Sequence, residues 1–284
     1  MSTATSSAGS DWRLVLPLGL FFLLFVFAPL GLLMLVSLYN DTGMKQAGVG
    51  QYVRFFTDSF NVKILTQTLW LGAKTTAVAI AIGYPLAYLY LLAPRRVRQA
   101  LILIIVLPLL TSAVVRTFGW IVILGRQGIV NGALLGLGVT ETPVTLLYTE
   151  WAVVIALAQI EMPLMVLPVI NALANIDPNL RHASFALGAG HWRTFFKVTL
   201  PLSMPGLLAG CMLVFAASVS AFVTQTLIGG GQLMFMPFYI YQQANQANNY
   251  PFAAAIATIL LLAVLVLVTV FNLVGRRSRG YVHA

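Results

Sequence analysis

Charge is what this chain has least of. Asp, Glu, Lys and Arg together make up 8% of its 284 residues, against 60% hydrophobic residues and a mean hydropathy of +0.91. A soluble domain of this size carries roughly a quarter charged residues, so a water-soluble globular fold is excluded. Cysteine is almost missing as well: Cys211, alone in an apolar run, can form no intrachain disulfide and is read as packing. Histidine occurs as His182, His191 and His283, without HExxH or any other ligand spacing, so no metal site is expected. No Walker-type phosphate loop is present, because no GK[ST] follows the Gly229-Gly230-Gly231 run. Ser218 and Ser220 lack a plausible base, and no other pair of polar catalytic groups occurs at one depth. No catalytic residue is therefore expected, and any ATP used must be hydrolysed by another subunit.

Acidic residues are the scarcer charge, with 7 Asp and Glu against 16 Lys and Arg and a net charge of +9. The basic residues Arg95, Arg96, Arg98, Arg181, Arg193, Lys197, Arg276, Arg277 and Arg279 sit in short segments between or after apolar runs. That is the positive-inside pattern of a membrane protein, not a nucleic-acid reading face.

Six apolar segments are long enough to cross about 30 Å of hydrocarbon as helices. They are residues 14–39, 64–92, 100–124, 146–174, 202–228 and 252–274. Arg13 before the first run gives it the flank of a signal peptide, but the run is too long and Ser37-Leu38-Tyr39 is a poor cleavage site, so it reads as a retained helix. The basic loops place both termini in the cytoplasm and residues 40–63, 125–145 and 229–251 outside. The expected fold is an all-α integral membrane protein of six transmembrane helices. Its single transmembrane domain covers residues 14–275, between tails at 1–13 and 276–284. Met1–Ser10 is Ser/Thr/Ala-rich and reads as disordered, and the QYVRFFTDSF stretch reads as an interfacial helix or a plain loop. The polar external tract from Tyr239 to Tyr250 suits contact with a binding protein or a solvated loop. No internal repeat and no tandem pair of broken helices is evident.

Charges inside spans are costly and line cavities or pair with each other. Glu161 lies half-way along the fourth segment, between Gln159 and Pro163, where Pro163 and Pro168 release backbone carbonyls and bend the helix. It reads as a cation contact in a translocation path or as a structural pair with Arg116 or Lys74. Arg116 and Trp120 lie one turn apart and address one cavity, with Arg116 in a structural or gating role. Lys74 lies near the outer end of its span, where it can snorkel. Tyr84 beside Pro85, and Phe222 near Gln225, are the best aromatic candidates for pore lining.

The most informative stretch is DPNLRHASFALGAGHWRTFFKVTLPLSMPG, from Asp177 to Gly206. Asp177 and Pro178 start a helix, Gly188 and Gly190 turn it, His191 to Thr199 form a second, and Pro201 closes that one. This loop resembles the E-A-A loop of ABC-importer permeases. Its counterparts here are His182-Ala183-Ser184, Leu187-Gly188-Ala189 and Leu200-Pro201. Its W-R-T-F and V-T-L-P-L-S-M-P-G runs are similar to the spermidine/putrescine-type permeases. So are Gly83-Tyr84-Pro85, Leu107-Pro108 with Val115-Arg116-Thr117, Trp120, and Leu227-Ile228-Gly229-Gly230, extending the resemblance from about Gln51 to Arg276. His182 and Ala186 depart from the family's usual Glu and Asp, which removes a carboxylate from the docking surface.

The resemblance implies an ATP-driven importer in a bacterial inner membrane. Residues 175–201 would be the coupling loop on two ABC ATPase subunits, which bind the ATP and magnesium. A homologous second permease would complete the pathway, and a periplasmic binding protein would deliver a polyamine. Arg193 and Lys197 would contact the ATPase or anionic lipid. Alternatives are another solute, amino-acid-like or iron, in the same role, and a secondary transporter or channel using Glu161.

Overall fold

The computed structural model describes residues 11–279, with side chains placed for residues 16–273. Met1–Ser10, the expected disordered segment, and His283 lie outside the described residues. The chain forms two compact units: residues up to Ser59 with Ile240–Ile259, and Phe60–Tyr239 with the residues from Leu260 onward.

Among the described residues, five helical stretches are long and apolar enough to cross a bilayer, and a bent pair taken as one span makes a sixth. The first is α1 (Leu16–Ser37), whose large apolar side chains are mostly exposed, as suits a lipid-facing helix. It passes through a π turn at Leu23–Phe27, just before Pro29 withdraws a backbone donor. After it Asp41 organises a short loop, its carboxylate accepting from the amides of Lys45 and Gln46 at 3.0 and 2.8 Å. Those amides, Gln46 foremost, hold the Asp41 carboxyl below its usual range. The QYVRFFTDSF stretch is helical, as α2 (Gly50–Thr57), with Phe55 buried and Phe56 and Val53 exposed.

The larger unit holds the site. It begins with α3 (Ser59–Leu92), 34 residues long, followed by α4 (Arg95–Val106). The expected single helix over 100–124 is broken here. Pro108 cannot continue the ladder, Leu107–Leu110 tighten into a 3₁₀ turn, and Thr111 is extended. Ser112 then caps α5 (Ala113–Leu124), its hydroxyl accepting from the Val114 amide at 3.3 Å. The span continues through α6 (Ile129–Gly136), so part of the expected outer segment 125–145 belongs to it.

The fourth span is α7 (Glu150–Ile160) and α8 (Met162–Ala174), bent by 46° at Glu161. The loop helix α9 (Pro178–Ala186) follows, then α10 (His191–Ser220), α11 (Phe222–Gly229), α12 (Met236–Tyr241) and α13 (Tyr250–Arg279). Pro201 does not close a helix. A π turn at Phe195–Thr199 lets the Leu200 amide reach the Phe195 carbonyl, and this wide turn absorbs the donor that Pro201 lacks, so α10 runs on unbroken to Ser220. The fifth segment breaks later, at Ala221 (φ −73°, ψ 73°). α13 continues to Arg279, so the start of the expected C-terminal tail is helical.

Two apolar clusters pack this unit. One joins Ala79, Ala87, Met165, Val169, Cys211 and Val214; the other joins Leu71, Leu124, Val153, Leu157, Ile228 and Phe235. α8 and α10 approach closely because Gly206 and Gly210 have no Cβ. A Cβ on Gly206 would overlap Ala172 and the Pro168 carbonyl, and one on Gly210 would lie 3.0 Å from the Met165 carbonyl oxygen.

Candidate functional site

The first place where chemistry gathers is the break in the fourth span. Pro163 has no N–H, and the Leu164 amide turns to the Glu161 carbonyl at 3.0 Å. The Ile160 carbonyl at the end of α7 is thereby left for another donor. Arg116, from α5, supplies it: Nη1 donates to Ile160 O at 2.9 Å. A cation at a helix C-terminus is also favoured by the helix dipole. One turn along α5, Trp120 Nε1 donates to Gln159 Oε1 at 3.1 Å. The third span is thus pinned to Gln159 and Ile160 through Trp120 and Arg116.

Glu161 is half-buried at this joint. Among the described residues it forms no ion pair and its carboxylate accepts no hydrogen bond. Of the two structural partners considered from the sequence, Lys74 pairs instead with Glu150 at 2.8 Å, flanked by the rings of Trp70 and Trp151. Arg116 lies close enough for its charge to act on Glu161; its Nη1 goes to the Ile160 carbonyl, and its buried Nε has no hydrogen-bond partner among the described residues. Gln159 is exposed and Trp120 half-exposed.

The other expected pathway residues sit deeper. Tyr84 is 6% exposed within the core, its hydroxyl 2.8 Å from Ser203 Oγ. Gln225 is 1% exposed; its amide donates to the Ser218 carbonyl at 2.7 Å, and its Oε1 has no partner. Phe222 is half-buried at the start of α11, just after the Ala221 break. The structure therefore brings Glu161, Arg116, Gln159 and Trp120 together, and places Tyr84 and Gln225 inside the packing.

The second place is the loop between α8 and α10. Asp177 caps α9, its carboxylate accepting from the Asn179 amide at 2.9 Å, with Pro178 in the first turn. Gly188 takes φ +79°, the left-handed turn that ends α9. Ser184 Oγ lies 2.9 Å from Thr194 Oγ1, and the Phe185 and His191 rings are 5.0 Å apart, so α9 and the start of α10 hold each other. His182, Ala183, Ala189 and Arg193 lie on this hairpin, most of them exposed, and Pro201 lies one further turn into α10.

Sequence reasoning missed the apolar face of this polar loop. Leu187 is 88% exposed and Trp192 78%, with Leu180 and Phe196 also open. The signal was present in the alternation of these residues with His and Arg, which reads as a partner surface only once the hairpin shows that nothing among the described residues covers it. Beside it, Tyr84, Pro85, Tyr88, Leu92, Trp192 and Phe195 line a groove of about 380 Å³.

A transmembrane bundle with a capped, apolar-faced hairpin between two spans matches a known family. Residues 14–280 fit the model of the binding-protein-dependent transport system inner membrane component. The chain belongs to that family. It is thus a multi-pass membrane permease of the ABC-transporter class, not an enzyme. It is 31% identical over 250 residues to the spermidine/putrescine transport system permease protein PotB of Haemophilus influenzae, covering 87% of each chain. To PotB of Escherichia coli it is 32% identical over 198 residues, 70% of this chain and 72% of that one. Its fold is shared with a bacterial ABC transporter involved in the import of the acidic polysaccharide alginate, at a TM-score of 0.75 and 21% identity over 94% of this chain and 95% of the other.

Proposed function

We propose that this permease carries polyamines across a bacterial inner membrane, in an importer whose ATP hydrolysis occurs in two separate ABC ATPase subunits. The observation that carries the coupling role is the loop hairpin. Leu187 and Trp192 stand open to solvent on a segment whose caps and ring contacts already hold its shape. Exposed apolar groups on a preformed polar loop mark a partner surface. His182, Ala183, Ser184, Leu187, Gly188, Ala189, Arg193 and Pro201 are its coupling residues, with Arg193 and Lys197 at the ATPase or anionic lipid. The loop's basic residues put it in the cytoplasm, with both termini on the same side. Magnesium and ATP belong to the partner.

A second permease is supported by the polar face at mid-span. Gln159 is exposed two residues before half-buried Glu161, and such groups are expensive against lipid. A water-filled path shared with a homologous partner relieves that cost. The polyamine reading rests on the PotB relatives, with Glu161 as its candidate cation contact. A periplasmic binding protein would deliver the solute to the outer loops.

The test is reconstitution of the chain with its genomic neighbours in proteoliposomes, followed by uptake of labelled spermidine. ATP-dependent uptake that also needs the binding protein is expected. ATP-dependent uptake of another solute class alone would move the assignment within the family, and uptake without an ATPase would favour a secondary transporter.

A further inference from the structure

We infer that the groove between α3 and α10, beside the loop hairpin, holds one acyl chain of an anionic phospholipid whose headgroup sits at Arg98. The inference depends on the membrane setting of the family and not on the solute carried. Tyr84, Tyr88 and Leu92 form one wall and His191, Trp192 and Phe195 the other, around about 380 Å³. Positions 84, 88 and 92 recur every four residues, so they share one stripe of α3. Phe195 braces that stripe, its ring edge-on to Tyr84 at 5.8 Å and to Tyr88 at 5.3 Å, with Trp192 at 6.5 Å on its own helix. The Tyr84 hydroxyl is already matched to Ser203 Oγ at 2.8 Å, so that ring offers the groove an apolar surface.

Depth decides against a soluble occupant. From Leu92, the last residue of α3, the groove runs back to Tyr84, about 12 Å at helical rise. There Tyr84 joins the apolar cluster of Ala87, Met165 and Val169. A side chain of the ATPase reaches the exposed Trp192 end, whereas an acyl chain can lie along the whole length. Charge then selects the headgroup. Arg98 donates from Nε to the Tyr90 carbonyl at 3.0 Å and from Nη2 to the Leu91 carbonyl at 2.6 Å. Its guanidinium is therefore held beside the Leu92 end of the groove, with further donors of its fork left for an anion. Arg95 and Arg96 are exposed just before it, and Arg193 is exposed next to Trp192. Residues 82–100 and 182–204 contain no Asp or Glu, and none of these arginines forms an ion pair among the described residues. An apolar trough that ends in unneutralised cations matches an amphiphile with a fatty tail and a negative head. A zwitterionic lipid brings its own cation to the same arginines and gains less.

The test reconstitutes the chain with its ATPase in phosphatidylcholine nanodiscs. These carry either phosphatidylglycerol or phosphatidylcholine with a diazirine on the acyl chain. Photoadducts are mapped by mass spectrometry to residues 84–92 and 191–195, with adducts on the exposed side chains of α1 as the measure of general lipid contact. The expected result is about fivefold more groove adduct from phosphatidylglycerol than from phosphatidylcholine, the preference that one well-placed basic residue gives. Arg98→Gln should erase that preference. Leu92→Glu should lower groove adducts from both lipids and leave those on α1 unchanged; Leu92 is 59% exposed, so its replacement spares the packing. Equal groove adducts from the two lipids in wild type would reduce the groove to ordinary lipid contact and overturn the site. Groove adducts that form on the chain alone and vanish when the ATPase binds would assign the groove to the ATPase and overturn it too. Groove adducts indifferent to Leu92→Glu would have the same consequence. If no ATPase binds, adducts on the chain alone still decide the lipid site, and the coupling role falls separately.

Discussion

At the residue scale, this membrane protein places its few charges by local backbone need. Arg116 answers a carbonyl freed by Pro163, and Lys74 answers Glu150. Glu161 forms no hydrogen-bonded ion pair among the described residues, and the nearby charge that acts on it is that of Arg116. Gly188 shows backbone need without crowding: at φ +79°, no atom lies within 4 Å of where its Cβ would be. A β-branched residue there meets strain and not a clash, about 1–2 kcal/mol, whereas Asn tolerates the conformation. Gly188→Val should therefore loosen the α9 hairpin and reduce ATPase coupling, while Gly188→Asn keeps both. Hydrogen exchange of residues 178–199 and stimulated ATP hydrolysis read the two effects. The loop's caps and turn were legible because Asp-Pro and Gly-x-Gly act over a few residues. The Lys74–Glu150 pair was not, since its partners are 76 positions apart and only the folded bundle brings them together. Tyr84 was read as pore lining from its neighbour Pro85, yet its hydroxyl has a buried partner, Ser203, on a distant helix.

At the element scale, the apolar runs revealed how many spans to expect, but not where they break. Hydropathy averages over a window, so a single Pro with a capping Ser (Pro108 and Ser112) disappears into an apolar stretch. The same averaging hid the break at Ala221, whereas the bend at Glu161 was legible from Pro163. Two predictions belong to this scale. α3 has 34 residues, about 51 Å at helical rise, far more than a hydrocarbon core of about 30 Å. Lys74, with Trp70 and Trp151 beside it, has the composition of a membrane interface, and about 27 Å separate it from Leu92 at the other end. The first dozen residues of α3 should stand outside the bilayer. Single cysteines at positions 59, 63 and 67, in a Cys211→Ala background, should react with a membrane-impermeant thiol reagent from the outer side, whereas cysteines at 78 and 82 should not. Gly206 and Gly210 form the other test. Gly206→Val drives a side chain into the Pro168 carbonyl and should cost about 1–3 kcal/mol, read as a lower unfolding temperature in detergent; Gly136→Val, with open space around it, should change little.

At the scale of the whole molecule, the chain is a moving part without an engine. It belongs to a family of transport-system membrane components, and its sequence carries no nucleotide motif. If the Asp177–Leu200 hairpin is the coupling loop proposed above, a bound ATPase would bias there one of two arrangements of the attached spans. α10 is well suited to transmit that bias, since it runs unbroken from His191 in the hairpin to Ser220. The family resemblance was readable from short motifs. The apolar docking face was not, because exposure is a property of the folded hairpin.

The most direct measurement is co-purification of the complex from membranes with Leu187→Asp in place of wild type. Leu187 is 88% exposed, so the substitution leaves the chain's own packing untouched. If the hairpin is the docking surface, the variant should reach the membrane at wild-type levels, retain its unfolding temperature, and lose most of the associated ATPase activity. A variant that keeps its full complement of ATPase and transports as wild type does would contradict the coupling role assigned to this loop.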